Sequence, residues 1–405
     1  MKNLWLLLLL IICVVSCGKE ESSMESPTAS LDTSSSFENF VTTGGGSASA
    51  GNSTGGNTVG GVNIDQAGIL TAGEWNDIEN WFFLQDLLNG EAHSDKLAYW
   101  GIYTTNAIKV KITDNVNQPF IDAKVDLIDN GTIRWSAKTD NKGEAVLVPT
   151  FFEANRNINL SNLVLSINEG ANTLTNVKTI TQGVNEIQMT EQKAPNNAAQ
   201  ISFIVDATSS MADELEFLKT ELKDVIERAE RDNADISIAT STVFYRDKGD
   251  EYVTRKSDFS DEALQTLDFI NQQSAQGGGD FPEAVHSALN VALRDLQWLP
   301  SAKARIMFLL LDAPPHSEEQ ILDEVRNAIK EAASLGIKII PVTASGINKE
   351  TEFLMRFSAI ATNGTYVFIT DDSGVGNEHL EPTVGDYEVE FLNDLMVRLI
   401  SENIE

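Results

Sequence analysis

The chain has 405 residues, 42% of them hydrophobic, so it is long enough for two or three domains with real cores. Its formal net charge is −31, from 60 acidic and 29 basic residues. This acidity argues against a nucleic-acid partner, because phosphate binding needs clustered Lys and Arg. Both cysteines, Cys13 and Cys17, precede the folded part, which therefore has no disulfide.

The first residues have the pattern of an export signal. A charged start is followed by a short apolar run from Leu4 to Val15, too brief to span a bilayer, so residues 1–16 are predicted to be a signal peptide. The run Val-Val-Ser before Cys17 resembles the lipobox of bacterial lipoproteins, which implies cleavage before Cys17 and lipid attachment to it. An ordinary signal with a chance cysteine is the alternative.

The residues directly behind Cys17, from Gly18 to Glu21, resemble the tag that sends some Gram-negative lipoproteins to the outer face of the outer membrane. We therefore expect a lipid-anchored protein of the cell envelope, exposed at the outer surface. Residues 17–66 are rich in Ser, Gly and Thr and are predicted to be a flexible tether.

Residues 67–105 are predicted to be an amphipathic helical segment, with one helix from Glu74 to Leu88 that has a Trp, Phe and Leu face. We expect this face to pack on the next domain. Membrane-surface binding is the alternative, but the segment carries Asp and Glu where an interfacial anchor carries Lys and Arg.

Residues 106–192 are predicted to form a small all-β sandwich. Apolar and polar residues alternate in runs that are separated by turn signals every eight to twelve residues, and the predicted strands are 108–112, 123–127, 133–137 and 144–148. The segment resembles the transthyretin-like and carboxypeptidase-regulatory-like modules of surface proteins. That resemblance implies a spacer, with carbohydrate or protein binding as the alternative.

Residues 198–405 alternate between strand and helix patterns. This order predicts an α/β domain, a doubly wound and mostly parallel sheet with helices on both faces. The predicted strands are 201–206, 235–245, 304–312, 337–343 and 365–370, and the predicted helices are 212–231, 261–273, 283–296, 317–335, 350–361 and 387–402.

Oxygen-bearing side chains follow the strands of this domain. Asp206, Thr208 and Ser210 come directly after one apolar strand, Asp312 ends another, and Asp280 follows three glycines before a helix. The carboxyl ends of parallel strands are where open α/β sheets bind ligands. Oxygen donors without Cys or His suit Mg²⁺, Mn²⁺ or Ca²⁺, and Mg²⁺ fits best because small donors and water complete an octahedral shell. Helix capping by Asp206 or Ser210 is the alternative.

The sequence Asp-x-Thr-x-Ser after an apolar strand resembles the Asp-x-Ser-x-Ser opening of the von Willebrand factor A domain, a Rossmann-like family with a metal-ion-dependent adhesion site (MIDAS). The loops Gly277–Glu283 and Leu311–His316 are similar to those of hemicentin-like matrix proteins and the alpha-kinase-associated A domain. The resemblance implies five metal ligands: Asp206, Thr208, Ser210, Asp280 and Asp312. Asp280 stands where the family usually has Thr.

We therefore expect a cell-surface lipoprotein that is not an enzyme, whose A domain binds a divalent cation and mediates adhesion or protein interaction. One alternative is a structural docking subunit of an envelope complex, in which the metal only orders loops. The other is a Mg²⁺-dependent phosphoryl-transfer enzyme of the haloacid-dehalogenase type. That class needs a second Asp where this chain has Thr208.

Overall fold

The computed structural model describes residues 58–59, 62–63, 66–90, 98–102, 106–152, 158–192 and 196–405. The predicted signal peptide, Cys17 and most of the predicted tether lie outside the described residues. Among the residues it does describe, no helix combines the length and the apolar character needed to cross a membrane. The predicted segment boundaries stay predictions.

Seventeen strands and seven α-helices have both ends within the described residues, and residues 98–100 are also helical. The strands are β1 Thr58–Val59, β2 Val62–Asn63, β3 Thr71–Trp75, β4 Ile108–Thr113, β5 Lys124–Asp129, β6 Thr132–Lys138, β7 Glu144–Leu147, β8 Leu163–Ile167, β9 Asn172–Leu174, β10 Asn185–Gln188, β11 Ala198–Asp206, β12 Ser237–Tyr245, β13 Thr254–Ser260, β14 Ala304–Leu311, β15 Lys338–Thr343, β16 Tyr366–Ile369 and β17 Val389–Phe391. The helices are α1 Trp81–Asn89, α2 Ala212–Asp232, α3 Ala263–Asn271, α4 Val285–Arg294, α5 Glu319–Leu335, α6 Lys349–Ala361 and α7 Leu392–Ile404.

The largest sheet has eight strands in the order β13-β12-β11-β14-β15-β16-β3-β17. Five adjacent strands of this sheet are parallel to one another, in the order β12, β11, β14, β15 and β16. The strands on either side of them, β13 and β3, are antiparallel to β12 and β16. Successive residues of β11 point to opposite faces: Phe203 belongs to the core that includes residues of α2, α3 and α7, whereas Ile204 belongs to the core that includes residues of α4, α5 and α6. The predicted α/β class, with helices on both faces of a mostly parallel sheet, is confirmed.

The predicted helix from Glu74 to Leu88 is wrong in its first part. Thr71–Trp75 form β3, which lies between β16 and β17, and only Trp81–Asn89 are helical. The buried carboxylate of Glu221 on α2 fixes the approach to β3, because it accepts hydrogen bonds from the backbone N–H groups of Gly68, Ile69 and Leu70 at 2.9, 2.9 and 3.1 Å. This segment is therefore part of the α/β domain.

The predicted small β-sandwich is also confirmed, with two sheets in the orders β6-β5-β8-β9 and β10-β4-β7. The sandwich shares its core with one face of the α/β domain. Phe151 makes edge-to-face contacts with Trp135 of β6 and Phe357 of α6, with ring centroids 6.1 and 5.6 Å apart. Lys338 adds an ion pair to Asp140 at 3.0 Å.

Candidate metal centre

The loop after β11 brings three of the predicted ligands into contact. Asp206, the last residue of β11, is fully buried. Its Oδ1 atom accepts hydrogen bonds from the backbone N–H of Thr208 at 2.9 Å and from the Thr208 hydroxyl at 2.7 Å. The hydroxyls of Thr208 and Ser210 lie 3.1 Å apart. One short turn thus presents a carboxylate and two hydroxyls at the carboxyl end of the sheet.

Asp312 lies on the neighbouring loop, directly after β14, and is also buried. Burial raises the pKa of Asp312 to about 7, with a further contribution from the charge of Asp206, while a hydrogen bond from Ser210 opposes the rise. The pKa of Asp206 is raised to about 6, again chiefly by burial. Two carboxylates and two hydroxyls therefore share this region, and each carboxylate disfavours ionisation of the other.

Glu283 is a third carboxyl at this centre, and the sequence analysis did not single it out. Its side chain is buried, and its backbone N–H donates to the Pro314 carbonyl at 2.9 Å, which ties it to the loop that carries Asp312. The pKa of Glu283 is raised to about 9. Burial is the largest cause, and the negative charges of Asp206, Asp247 and Asp312 add to it. The sequence places Glu283 between the three glycines and α4, but nothing in that motif distinguishes it from Asp280.

Asp280 occupies a different position from the other four predicted ligands. It lies exposed on the loop Gly277–Glu283, called the glycine loop below, next to exposed Phe281. Its charge is not among the largest that act on Asp206, Asp312 or Glu283. Its role as a ligand stays a prediction.

The glycine loop is held in place by the residues after β12. The Asp250 carboxylate accepts from the backbone N–H groups of Gly278 at 2.9 Å and Asp247 at 3.0 Å. Gly278 has φ +73°, and a Cβ there would lie 2.9 Å from Oε1 of Glu283. A glycine is needed at this position both for its backbone conformation and for the close approach of that carboxyl.

Three buried carboxyl oxygens at the centre have no hydrogen-bond partner: Oδ2 of Asp206, Oδ1 of Asp312 and Oε2 of Glu283. Such groups are costly unless something compensates them, and a cation does so. Within the described ranges, no three Asp, Glu, His or Cys side chains are placed to hold an ion among themselves. The residues fit a hard divalent cation bound by two carboxylates, the two hydroxyls and water.

Comparison with known proteins agrees with this architecture. Residues 200–374 match the family model described as von Willebrand factor A domain. Two curated relatives are similar to part of the chain: a putative ariadne-like RING finger protein of Acanthamoeba polyphaga mimivirus, 30% identical over 129 residues, and the alpha-protein kinase vwkA of Dictyostelium discoideum, 27% identical over 126 residues. These matches cover 32% and 31% of this chain, but only 12% and 20% of the relatives.

Two solved structures from Bacteroides species are also similar. The conserved hypothetical protein BatB from Bacteroides thetaiotaomicron is 14% identical with a TM-score of 0.36, over 50% of this chain and 98% of its own. An aerotolerance-related membrane protein from Bacteroides fragilis is 14% identical with a TM-score of 0.35, over 51% of this chain and 98% of its own. The family match identifies residues 200–374 as a von Willebrand factor A domain, a class of domain that in general mediates protein interaction.

Proposed function

We propose that the A domain binds a divalent cation through Asp206, Thr208, Ser210 and Asp312, and that the loaded centre contributes to binding a protein partner. Mg²⁺ is the expected ion, with Mn²⁺ and Ca²⁺ as alternatives. The observation that carries the proposal is the set of buried, unpartnered carboxyl oxygens beside two hydroxyls at the carboxyl edge of the sheet. Asp280 is the predicted fifth ligand.

The physical role of the cation follows from the charges. Without it, burial disfavours the ionised forms of Asp206 and Asp312, and the charge of Asp206 adds to this effect at Asp312, which is why their pKa values are raised. A bound dication reverses this effect and favours the ionised forms. The cation would also fix the loops after β11 and β14, which form the edge that a partner meets.

The test is calorimetric titration and unfolding of the full chain, with Cys17→Ser so that it stays in solution. Because a ligand that binds only the folded state stabilises it by RT ln(1 + [L]/Kd), a hundredfold excess of Mg²⁺ over Kd should add about 2.7 kcal/mol. Asp206→Ala should abolish this gain. The exposed helix residue Asp268 is a matched control, since Asp268→Ala removes the same charge away from the centre.

Asp280→Thr separates two possibilities at the glycine loop. If Asp280 is a ligand, the change weakens cation affinity, because one carboxylate is lost. If Asp280 only lines the rim, affinity stays near that of the wild type. Equal affinities in wild type and Asp206→Ala would contradict the cation proposal altogether.

We further propose that the chain is a surface lipoprotein anchored at Cys17. In the native host, Cys17→Ser should move the protein from the membrane fraction to the soluble fraction. Replacing Lys19, Glu20 and Glu21 by Ala should leave the lipid in place but remove the protein from the cell surface. Digestion of intact cells with a protease measures the second effect, and unchanged accessibility would contradict the export proposal.

Adhesion through the cation and cation-independent docking predict different pull-downs. A partner held through the cation is lost when a chelator is added to the envelope extract. A docking subunit whose metal only orders loops keeps its partner under the same treatment. Phosphatase activity of the purified chain that Asp206→Ala removes would instead favour the phosphoryl-transfer alternative.

A further inference from the structure

A histidine lies between two carboxylates near the start of α2. His379, in the loop between β16 and β17, is buried. Its Nδ1 atom lies 2.8 Å from Oδ1 of Asp371, and its Nε2 atom lies 2.9 Å from Oε1 of Glu214. Glu214 belongs to the first turn of α2, four positions after Ser210, and is fully buried. Both carboxylates therefore lie within hydrogen-bond distance of the same ring.

This geometry favours a doubly protonated ring. A neutral imidazole has one N–H donor, and its other nitrogen is an acceptor, so it cannot donate to two ionised carboxylates at once. Both distances are those of charge-assisted hydrogen bonds. Burial by itself lowers the pKa of His379, but the hydrogen bonds to Glu214 and Asp371 outweigh it, and the pKa is raised above its ordinary value of 6.5.

The surroundings favour a positive charge on the ring. In the described part of the chain, the ionisable groups that face His379 or lie in its loop are six carboxyls and one phenol apart from Glu214 itself: Asp213 on α2, Asp371 and Asp372 in the turn after β16, and Glu378, Glu381, Asp386 and Tyr387 in the loop. From α6, Lys349 donates to the backbone carbonyl of Glu381 and pairs with Glu352.

Other contacts join the same elements. The Ser345 backbone N–H, after β15, donates to Oε1 of Glu214 at 3.0 Å. Asn377 donates to Asp213 at 2.8 Å, and the backbone N–H of His379 itself donates to Asp371 at 3.0 Å. The start of α2, the end of β15 and the loop from Asp371 to Tyr387 thus meet at one buried carboxylate, Glu214.

We propose that His379 is a doubly protonated latch that fastens the 371–387 loop to the first turn of α2, and that this loop is released as the ring loses a proton. The latch rests on the contacts of His379 alone and does not depend on the proposed cation. A group with a raised folded-state pKa adds stability that is fully present below its unfolded pKa and is lost as pH rises through the folded pKa. The loop should therefore be held at mildly acidic pH and loosened at alkaline pH.

Nitrogen NMR of the imidazole rings tests the protonation directly in the full chain with Cys17→Ser. There are four histidines, and His379→Gln assigns the relevant signal. We expect both ring nitrogens of His379 to carry protons at pH 6.5. In Asp371→Asn, the titration midpoint should fall by about half a pH unit or more, because one charge-assisted hydrogen bond is weakened. A neutral ring at pH 6.5 in the wild type would overturn the proposal.

Asp372→Asn is the matched control, since it removes the same charge from the same exposed turn, one position from the contact with His379. Its midpoint should move less than that of Asp371→Asn, and equal shifts in the two variants would overturn the proposed contact.

Hydrogen exchange gives the second readout. After correction for intrinsic rates, amides of residues 371–387 should exchange about tenfold faster in His379→Gln than in the wild type at pH 6, and equally fast at pH 9. Unchanged exchange at pH 6 would also refute the latch.

Discussion

A buried ion pair connects the segment that contains β3 to α6, and breaking this ion pair gives the sharpest stability prediction. Arg356 on α6 is completely buried. Its Nη2 and Nε atoms donate to the two oxygens of Asp77 at 2.6 and 2.9 Å. Oδ1 of Asp77 also accepts from the Trp75 indole N–H at 3.0 Å. Asp77→Ala would leave the guanidinium buried with its main partner lost.

Breaking a buried pair in this way costs about 3–5 kcal/mol, because an uncompensated charge stays in the interior. The lower end applies here, since Arg356 keeps the Thr383 carbonyl at 2.6 Å and Glu352 at 3.5 Å. We therefore expect Asp77→Ala to reduce the free energy of unfolding by about 3 kcal/mol. Urea unfolding followed by circular dichroism measures this loss.

The matched control is Glu74→Ala. Glu74 lies in the same segment as Asp77, and its carboxylate pairs with the partly exposed side chain of Arg398 on α7. Arg398 keeps Glu390 and Glu402, so the expected loss is about 0–1 kcal/mol. In addition, the double variant Asp77→Ala with Arg356→Met should be more stable than Asp77→Ala alone, because no buried charge is left unpaired. Equal losses in Asp77→Ala and Glu74→Ala would refute this reasoning.

Two further predictions concern pH and packing. Burial raises the folded-state pKa values of Asp206 and Asp312 above the ordinary 3.8, to about 6 and about 7. Between these values and the ordinary one, the folded state binds more protons than the unfolded state. In the presence of a chelator, the free energy of unfolding should therefore fall as the pH rises from about 4 to 7. Mg²⁺ should then add more stability at pH 8 than at pH 5, and an equal gain at both values would argue against a cation at these carboxylates. Gly364→Ala should cost about 1–3 kcal/mol in urea unfolding, because its Cβ would lie 2.1 Å from the Ile339 carbonyl oxygen. Gly279→Ala, with nothing within 4 Å, should cost far less, and similar losses would contradict the steric argument.

The parallel sheet was predictable from local sequence, whereas β3 was not. Runs such as Ile201–Val205 and Met307–Leu311 are almost wholly apolar, as strands covered on both faces are. Thr-Ala-Gly-Glu-Trp, in contrast, has neither that pattern nor regular alternation. Gly73 is required because a Cβ there would lie 2.5 Å from the Phe368 ring, a contact that only the folded sheet creates.

The centre was partly predictable for a similar reason. Asp206, Thr208 and Ser210 are near neighbours in sequence, so the turn after β11 alone brings them together. The glycine loop offers two carboxylates, and the sequence motif does not decide which of them turns inward. In the structure the backbone bond from Glu283 to Pro314 places Glu283 inside, and this bond depends on a loop about thirty residues further on.

The position of β3 also makes completion of the sheet depend on a contact between distant parts of the chain. Thr71 and Thr370, whose hydroxyls lie 2.8 Å apart, are separated by 299 residues. Bringing such distant segments together costs loop-closure entropy before the contacts of β3 can compensate it. Because β3 lies between β16 and β17, the eight-stranded sheet is completed by a pairing between its first strand along the chain and its last two.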